Sequence, residues 1–264
     1  MPTQLAPSSR QGVADEVWVE LTRRLPAANL HRIRGMLDVW TGRRDPDLAP
    51  GQHCLLDLFM PGLASNPWYD AADFACTSLL EEHYDELRAE LDDAIACGLQ
   101  WHPYGHPPGG APLPIGRPPE GWKEIRLCWG SQPVRVNCEQ LPLAAAVMSA
   151  VRAESHLIAH FVYLALEART RIPLHTDPVN ALAACHLAMK VPPGCGLRVG
   201  GERRSWVEGR CLAFDNSYPH EAWNDHPTDT RIVLAVHVPH PDLSAAERQA
   251  LAWLTERLLA ADHS

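Results

Sequence analysis

From His156 to Val238 the 264-residue chain breaks into short strand-like runs separated by turn signals, and this pattern most narrows what it can become. The runs are Leu157–Leu166, Leu182–Val191, Leu197–Val199, Ser205–Val207, Cys211–Phe214 and Arg231–Val238. Most are too short for a packed helix, and many short strands in succession suit an antiparallel barrel or jelly roll. The Gly200-Gly201 pair between Val199 and Trp206 marks a tight hairpin, because such turns need positive φ. The expected class is mainly β with flanking helices.

The flanks read differently. Residues 1–12 read as disordered. Val17, Leu21, Leu25, Leu30, Ile33 and Leu37 recur at roughly helical spacing, and Pro26 splits them into two short helices. Gly42 to Gly51 reads as a linker. This divides the chain into a helical appendage over 1–50 and a main domain over 51–264. His53 to Pro61 reads as an entering strand, and Asp73 to Ala96 as one long amphipathic helix ended by Gly98. Trp101 to Pro119, rich in Pro and Gly, reads as an irregular lip over a pocket; its His102 and His106 have a spacing that would also permit a metal pair. Trp122 to Trp129 alternates as a strand does, and Ala144 to Glu154 reads as a short helix. Ser244 with Glu247 forms a capping box opening a helix to about Leu259.

A net charge of −9 argues against nucleic acid as the main partner. No apolar run approaches the length of a membrane span, and the first residues lack a basic-then-apolar leader, so the expectation is a cytoplasmic protein. The eight cysteines form no CxxC pair and sit mostly in apolar runs, as small buried hydrophobes do in a reducing compartment.

Chemistry concentrates at LHTDPVN, residues 174–180. On an extended strand His175 and Asp177 point to one face. Tyr218-Pro219-His220 offers a second imidazole after another strand. Two histidines and one carboxylate, with three positions open, are the ligand set of non-haem Fe(II) oxygenases. The plainer reading of an isolated HxD is a turn Asp beside an exposed His. Arg231 opens an apolar strand. Turned inward, its guanidinium needs a carboxylate, and the far end of 2-oxoglutarate would be one. Turned outward, it would pair with Asp225 or Asp229. His186 lies inside an apolar strand, either as a core histidine or beside the metal with a hydrogen bond to a cosubstrate carboxylate. Trp129 and Trp223 read as core aromatics or pocket walls.

With these positions in view, several runs resemble the aspartyl/asparaginyl β-hydroxylase family of Fe(II)/2-oxoglutarate oxygenases. They are Pro61-Gly62-Leu63 to Trp68-Tyr69-Asp70, HTDPVN (175–180), HLAMKVP (186–192), SWVEGRCLAFDNSYPHEAWND (205–225) and RIVLAVHVPHPDL (231–243). The resemblance spans about Leu58 to Leu243. It implies a double-stranded β-helix, with His175 and His220 on Fe(II) and with His186 and Arg231 on 2-oxoglutarate. It also implies O2 as cosubstrate, and hydroxylation at an unactivated C–H, in the simplest case the β-carbon of an Asp- or Asn-like residue in an amino acid, peptide or natural product.

Two departures bear on this. Human-type members have Gly where this chain has Asp177, which here completes a three-ligand set. They also carry arginines at the positions of Leu182 and Ala184, one of which helps to hold the acidic substrate side chain. Arg126, Arg135, Arg198 and Arg203 are candidates to replace them. The same chemistry on a non-acidic amino acid, a carrier-bound residue or an acyl chain therefore stays open. So does a non-catalytic, cupin-like metal-binding module, which would have no use for Arg231 and His186 as cosubstrate anchors. A zinc hydrolase is the weakest reading: there is no HExxH, and no general base beside the ligands.

Overall fold

The computed structural model describes residues 7–53, 58–105, 118–129, 132–177 and 179–261. In chain order these form α1 (Pro7–Arg24), α2 (His31–Trp40), β1 (Trp68–Tyr69), α3 (Ala75–Glu82), α4 (Tyr84–Ala96), β2 (His102–Pro103), β3 (Trp122–Trp129) and β4 (Gln132–Pro133). There follow α5 (Arg135–Gln140), α6 (Pro142–Ser155), β5 (His160–Leu166), β6 (Thr170–His175), β7 (Leu182–Lys190), β8 (Cys195–Val199) and β9 (Glu202–Arg204). The chain ends through β10 (Cys211–Phe214), β11 (His220–Asn224), β12 (Arg231–Pro239) and α7 (Ala245–Ala261).

Two antiparallel sheets face each other. The larger runs β1-β10-β7-β12-β5-β3-β2 with β4 beside β3, and the smaller runs β6-β11-β8-β9. Neighbours distant in sequence, such as β12 between β7 and β5, give the double-stranded β-helix its winding.

β12 shows how the layers arise. It is buried along nearly its whole length because both of its faces are covered. Ile232, Leu234, Val236 and Val238 join a core with Phe74, Leu80, Leu87, Leu91, Val147 and Val151, under α3, α4 and α6. Val233 and Ala235 join the opposite core, with Ile172, Leu197 and Val199 of the smaller sheet. Alternation then turns Arg231 and His237, in step with Val233 and Ala235, into the space between the sheets. A third core unites α1, α2 and α7 through Leu21, Leu30, Ile33, Leu37, Leu251 and Leu254. The capping box forms as expected: Ser244 N–H donates to Glu247 Oε2 at 2.9 Å, and Glu247 N–H to Ser244 Oγ at 3.3 Å. Glu247 also accepts from Arg32 Nε at 2.7 Å, tying α7 to α2. No described helix is long and apolar enough to cross a membrane.

Several local expectations are corrected. Residues 7–12 are helical rather than disordered. The helix expected over Asp73 to Ala96 is two, because the His83 backbone leaves the helical region (φ −98°, ψ 11°) and its Nδ1 bonds Leu79 O at 3.0 Å. A 3-10 turn at Ala71–Asp73 precedes them, capped by the Asp70 side chain. His102 and Pro103 pair with Glu124 and Lys123, so the start of the expected irregular lip is a short edge strand, where Pro is tolerated. His106 lies outside the described residues. So do 54–57 of the expected entering strand; beside them Leu58 makes one isolated bridge to Val179. Ser205–Val207 is not a strand: Trp206 plugs the interior while Val207 is 66% exposed, and the hairpin partner of β8 is Glu202–Arg204. The turn joining them is the expected glycine pair, with φ of 58° at Gly200 and 102° at Gly201.

Candidate metal centre

β6 and β11 are the strands that matter most. His175 closes β6, His220 opens β11, and they face one another in register with ring centroids 4.1 Å apart. A register shift between His220 and Ala222 marks a bulge, the device that re-aims a side chain at a sheet edge. Asp177 lies just beyond β6 rather than within it. Its backbone N–H donates to Asn216 O at 2.8 Å, so the turn carrying it is tied to the loop before β11. One ligand atom each from His175, Asp177 and His220 lie within 4.8 Å of one another, the only such His/Cys/Asp/Glu group among the described residues.

Both imidazoles are held in the same tautomer. His175 Nδ1 lies 2.8 Å from Pro173 O, and His220 Nδ1 lies 2.9 Å from Tyr218 O. A carbonyl can only accept, so each Nδ1 carries the proton and each Nε2 keeps a lone pair for a metal. Burial pushes the pKa of His220 down to about 4, aided by His175 and opposed by Asp177, which keeps the ring neutral as a ligand must be. Asn216 Nδ2 donates to Asp177 Oδ2 at 2.7 Å and orients the carboxylate. Sequence reasoning missed Asn216; its amide in the segment before His220 was the available signal.

Arg231 is 1% exposed, and its guanidinium carbon sits 4.9 Å from the Trp206 ring centroid. The outward reading fails: Asp225 is taken by Arg171 at 2.7 Å, and no described carboxylate pairs with Arg231. Its Nε has no hydrogen-bond partner among the described residues, and burial pushes its pKa down to about 10. His186 also turns inward, edge-on to Phe214 at 5.0 Å, with a buried Nδ1 that has no described partner. Burial first, then the Arg231 charge, holds it well below the usual histidine range. A buried cation with no anion and a buried ring nitrogen with no partner are costly unless a ligand completes them. A dicarboxylate fits that demand, and the two free Nε2 atoms with one carboxylate fit a divalent iron.

Beside this lies a second inward-facing set. Trp122 is 6.3 Å from the His175 ring and stacks on Tyr104 at 3.5 Å. Arg126 is sandwiched near Tyr104 (5.9 Å) and Trp129 (4.3 Å), and Trp129 stacks on His160, which stacks on His237. Trp129 thus lines this region. Trp223 does not: it lies on the outer side of β11 among Arg171 and Arg203, covering Gly196, whose absent Cβ would meet the indole at 2.2 Å. Of the four arginines considered, only Arg126 reaches the interior. Arg135 and Arg203 are exposed, and Arg198 pairs with Glu221 at 2.9 Å. His160 and His237 sat in apolar strands, where a sequence cannot distinguish a lining histidine from a core one.

Comparison with known proteins identifies the family. Residues 81–241 match the family described as aspartyl/asparaginyl beta-hydroxylase. The chain is 36% identical over 216 residues to mouse aspartate beta-hydroxylase domain-containing protein 2, covering 75% of this chain and 57% of that one. It is 37% identical over 199 residues to mouse aspartyl/asparaginyl beta-hydroxylase, covering 72% of this chain and 25% of that one. It thus spans little more than half the length of the first of these relatives. Among solved structures it is similar to a 2OG-Fe(II) oxygenase family oxidoreductase from Burkholderia pseudomallei at 13% identity and TM-score 0.42, covering 68% of this chain and 96% of that one. On the family match and the sequence identities, the chain belongs to the aspartyl/asparaginyl β-hydroxylase family.

Proposed function

We propose that the protein is an Fe(II)- and 2-oxoglutarate-dependent oxygenase that hydroxylates an unactivated C–H bond of a small molecule or peptide. Nε2 of His175, Nε2 of His220 and a carboxylate oxygen of Asp177 would hold the iron. The observation that carries the reading is Arg231, a guanidinium buried between the sheets that pairs with no carboxylate among the described residues. It would bind the distal carboxylate of 2-oxoglutarate, while His186 bonds the same cosubstrate through its unpartnered Nδ1. When bound, iron and 2-oxoglutarate supply the activation of O2, with succinate and CO2 released.

The chain's own part is geometry. Pro173 O and Tyr218 O fix the two imidazoles, Asn216 fixes the carboxylate, and Trp206 and Phe214 keep water from the cosubstrate side. A binding module without chemistry leaves Arg231 and His186 unexplained.

The test is release of succinate from 2-oxoglutarate by the Fe(II)-loaded full chain with ascorbate, across a panel of amino acids, peptides and acyl compounds. Succinate that rises with one substrate, together with a product one oxygen atom heavier, is expected. Failure to bind 2-oxoglutarate, with or without metal, would overturn the assignment.

A further inference from the structure

Arg126 and Glu124 form an ion pair deep in the protein, 1% and 0% exposed, on the inner face of β3. Arg126 Nε donates to Glu124 Oε1 at 3.3 Å, and Nη2 bonds Oε2. The pair uses two of the three guanidinium nitrogens. The third, Nη1, is buried and meets no partner at full hydrogen-bond geometry among the described residues, although the Tyr104 hydroxyl lies close enough to Arg126 to share a side-chain hydrogen bond with it. The place is not remote from the metal ligands. Tyr104, against which Arg126 packs, feels the charges of both Asp177 and Arg126, and so does His237. His160 and His237 lie one strand apart on the same inner face, paired in register, and Trp129 pairs with His160.

We infer that this is the substrate subsite, and that it selects an uncharged oxygen acceptor: a carboxamide, ester or other neutral carbonyl, or a hydroxyl. The inference rests on the oxygenase reading only for the place where substrate binds. Arg126 Nη1 supplies a directed donor, while Glu124 has already neutralised the guanidinium. The surrounding histidines add no charge, because burial disfavours protonation of both. A substrate carboxylate entering here would be a second buried anion beside a balanced pair; a neutral carbonyl meets no such penalty. At the opposite row of the same face, Ala184 pairs with His237 and offers no cation either. The site is thus built to bind polar but uncharged substrates and to reject acidic ones.

Two isosteric probes differing only in charge decide the matter: N-acetyl-asparagine methylamide and N-acetyl-aspartate methylamide. Their dissociation constants are measured by ligand-detected NMR on the full chain, metal-free and with Mn(II) and 2-oxoglutarate. The amide should bind at least tenfold tighter than the acid. Glu124→Gln removes the internal counter-charge, and the preference should then fall to parity or reverse. If Glu124→Gln does not fold, the double variant Glu124→Gln, Arg126→Met leaves no buried charge unpaired; it should lose amide binding by tenfold or more. Equal or tighter binding of the acid by the parent overturns the inference. So does binding of neither probe, since both carry the acceptor oxygen assigned to Nη1. The oxygenase reading fails separately, through absent binding of 2-oxoglutarate, and the probe ratio on the metal-free chain does not depend on it.

Discussion

Asp177 and Arg231 carry opposite burdens, and single substitutions separate them. Asp177 supplies the carboxylate of the candidate ligand group, and Asn216 holds its other oxygen at 2.7 Å. Asp177→Ala should weaken Fe(II) binding by about 100-fold, and Asn216→Ala by about 10-fold, the range seen when ligands lose their supporting hydrogen bonds. Titration of the metal-free protein with Fe(II) under anaerobic conditions checks both. Parent-like affinity in Asp177→Ala would leave only two protein ligands. Arg231→Met removes a buried cation that no carboxylate among the described residues satisfies. It should raise the dissociation constant for 2-oxoglutarate by about 30-fold or more, the loss of a charge-assisted hydrogen bond of about 2–3 kcal/mol. Metal affinity should stay within twofold, so calorimetry with each ligand in turn isolates the cosubstrate role. The fold itself should tolerate Arg231→Met, because an apolar side chain ends the cost of burying a lone charge.

Two contacts hold elements rather than chemistry. The Asn180 side chain clamps Met60, accepting from its N–H at 2.8 Å and donating to its carbonyl at 2.9 Å. This gives the segment entering the domain the pairing that a strand would otherwise provide. Asn180→Ala leaves two buried backbone groups without partners and should cost about 2–4 kcal/mol in chemical denaturation. At the other end, Glu247 completes a capping box on α7 and pairs with Arg32 of α2. Glu247→Ala removes both and should cost about 2–3 kcal/mol, since Arg32 remains partly reachable by water. A loss under 0.5 kcal/mol would mean that α7 is held by Leu251 and Leu254 alone.

The whole molecule buries several histidines in their neutral form, and its stability should follow pH accordingly. Burial lowers the pKa values of His160, His186, His220, His237 and His240, so the unfolded chain binds more protons than the folded one in mildly acidic solution. Their contribution is complete above about pH 6.5 and is lost as pH falls toward the folded values. For His220, with a pKa of about 4, the loss by pH 5 is about 2 kcal/mol in metal-free protein. Asp215, whose pKa is raised by burial, works in the opposite sense. A melting temperature that stays flat between pH 7 and pH 5 would contradict this. Much of the architecture was legible beforehand because strands covered on both faces leave short, nearly unbroken apolar runs at β3, β7, β10 and β12, and the capping box and glycine hairpin are local signals. β6 was expected only as a strand end at His175 and Asp177, and β11 escaped notice. One is largely solvent-facing, and the other alternates small and polar residues without an apolar stripe. His175, Asp177, His220, His186 and Arg231 could be chosen from the chain, since their residue types and spacing belong to one chemistry. Their direction could not. Whether Arg231 met Asp225 or turned between the sheets beside Trp206, and which of four arginines turned inward, depended on strand register and on which face each sheet covered. Those are long-range pairings between β12, β7, β5 and β3 that no local stretch contains.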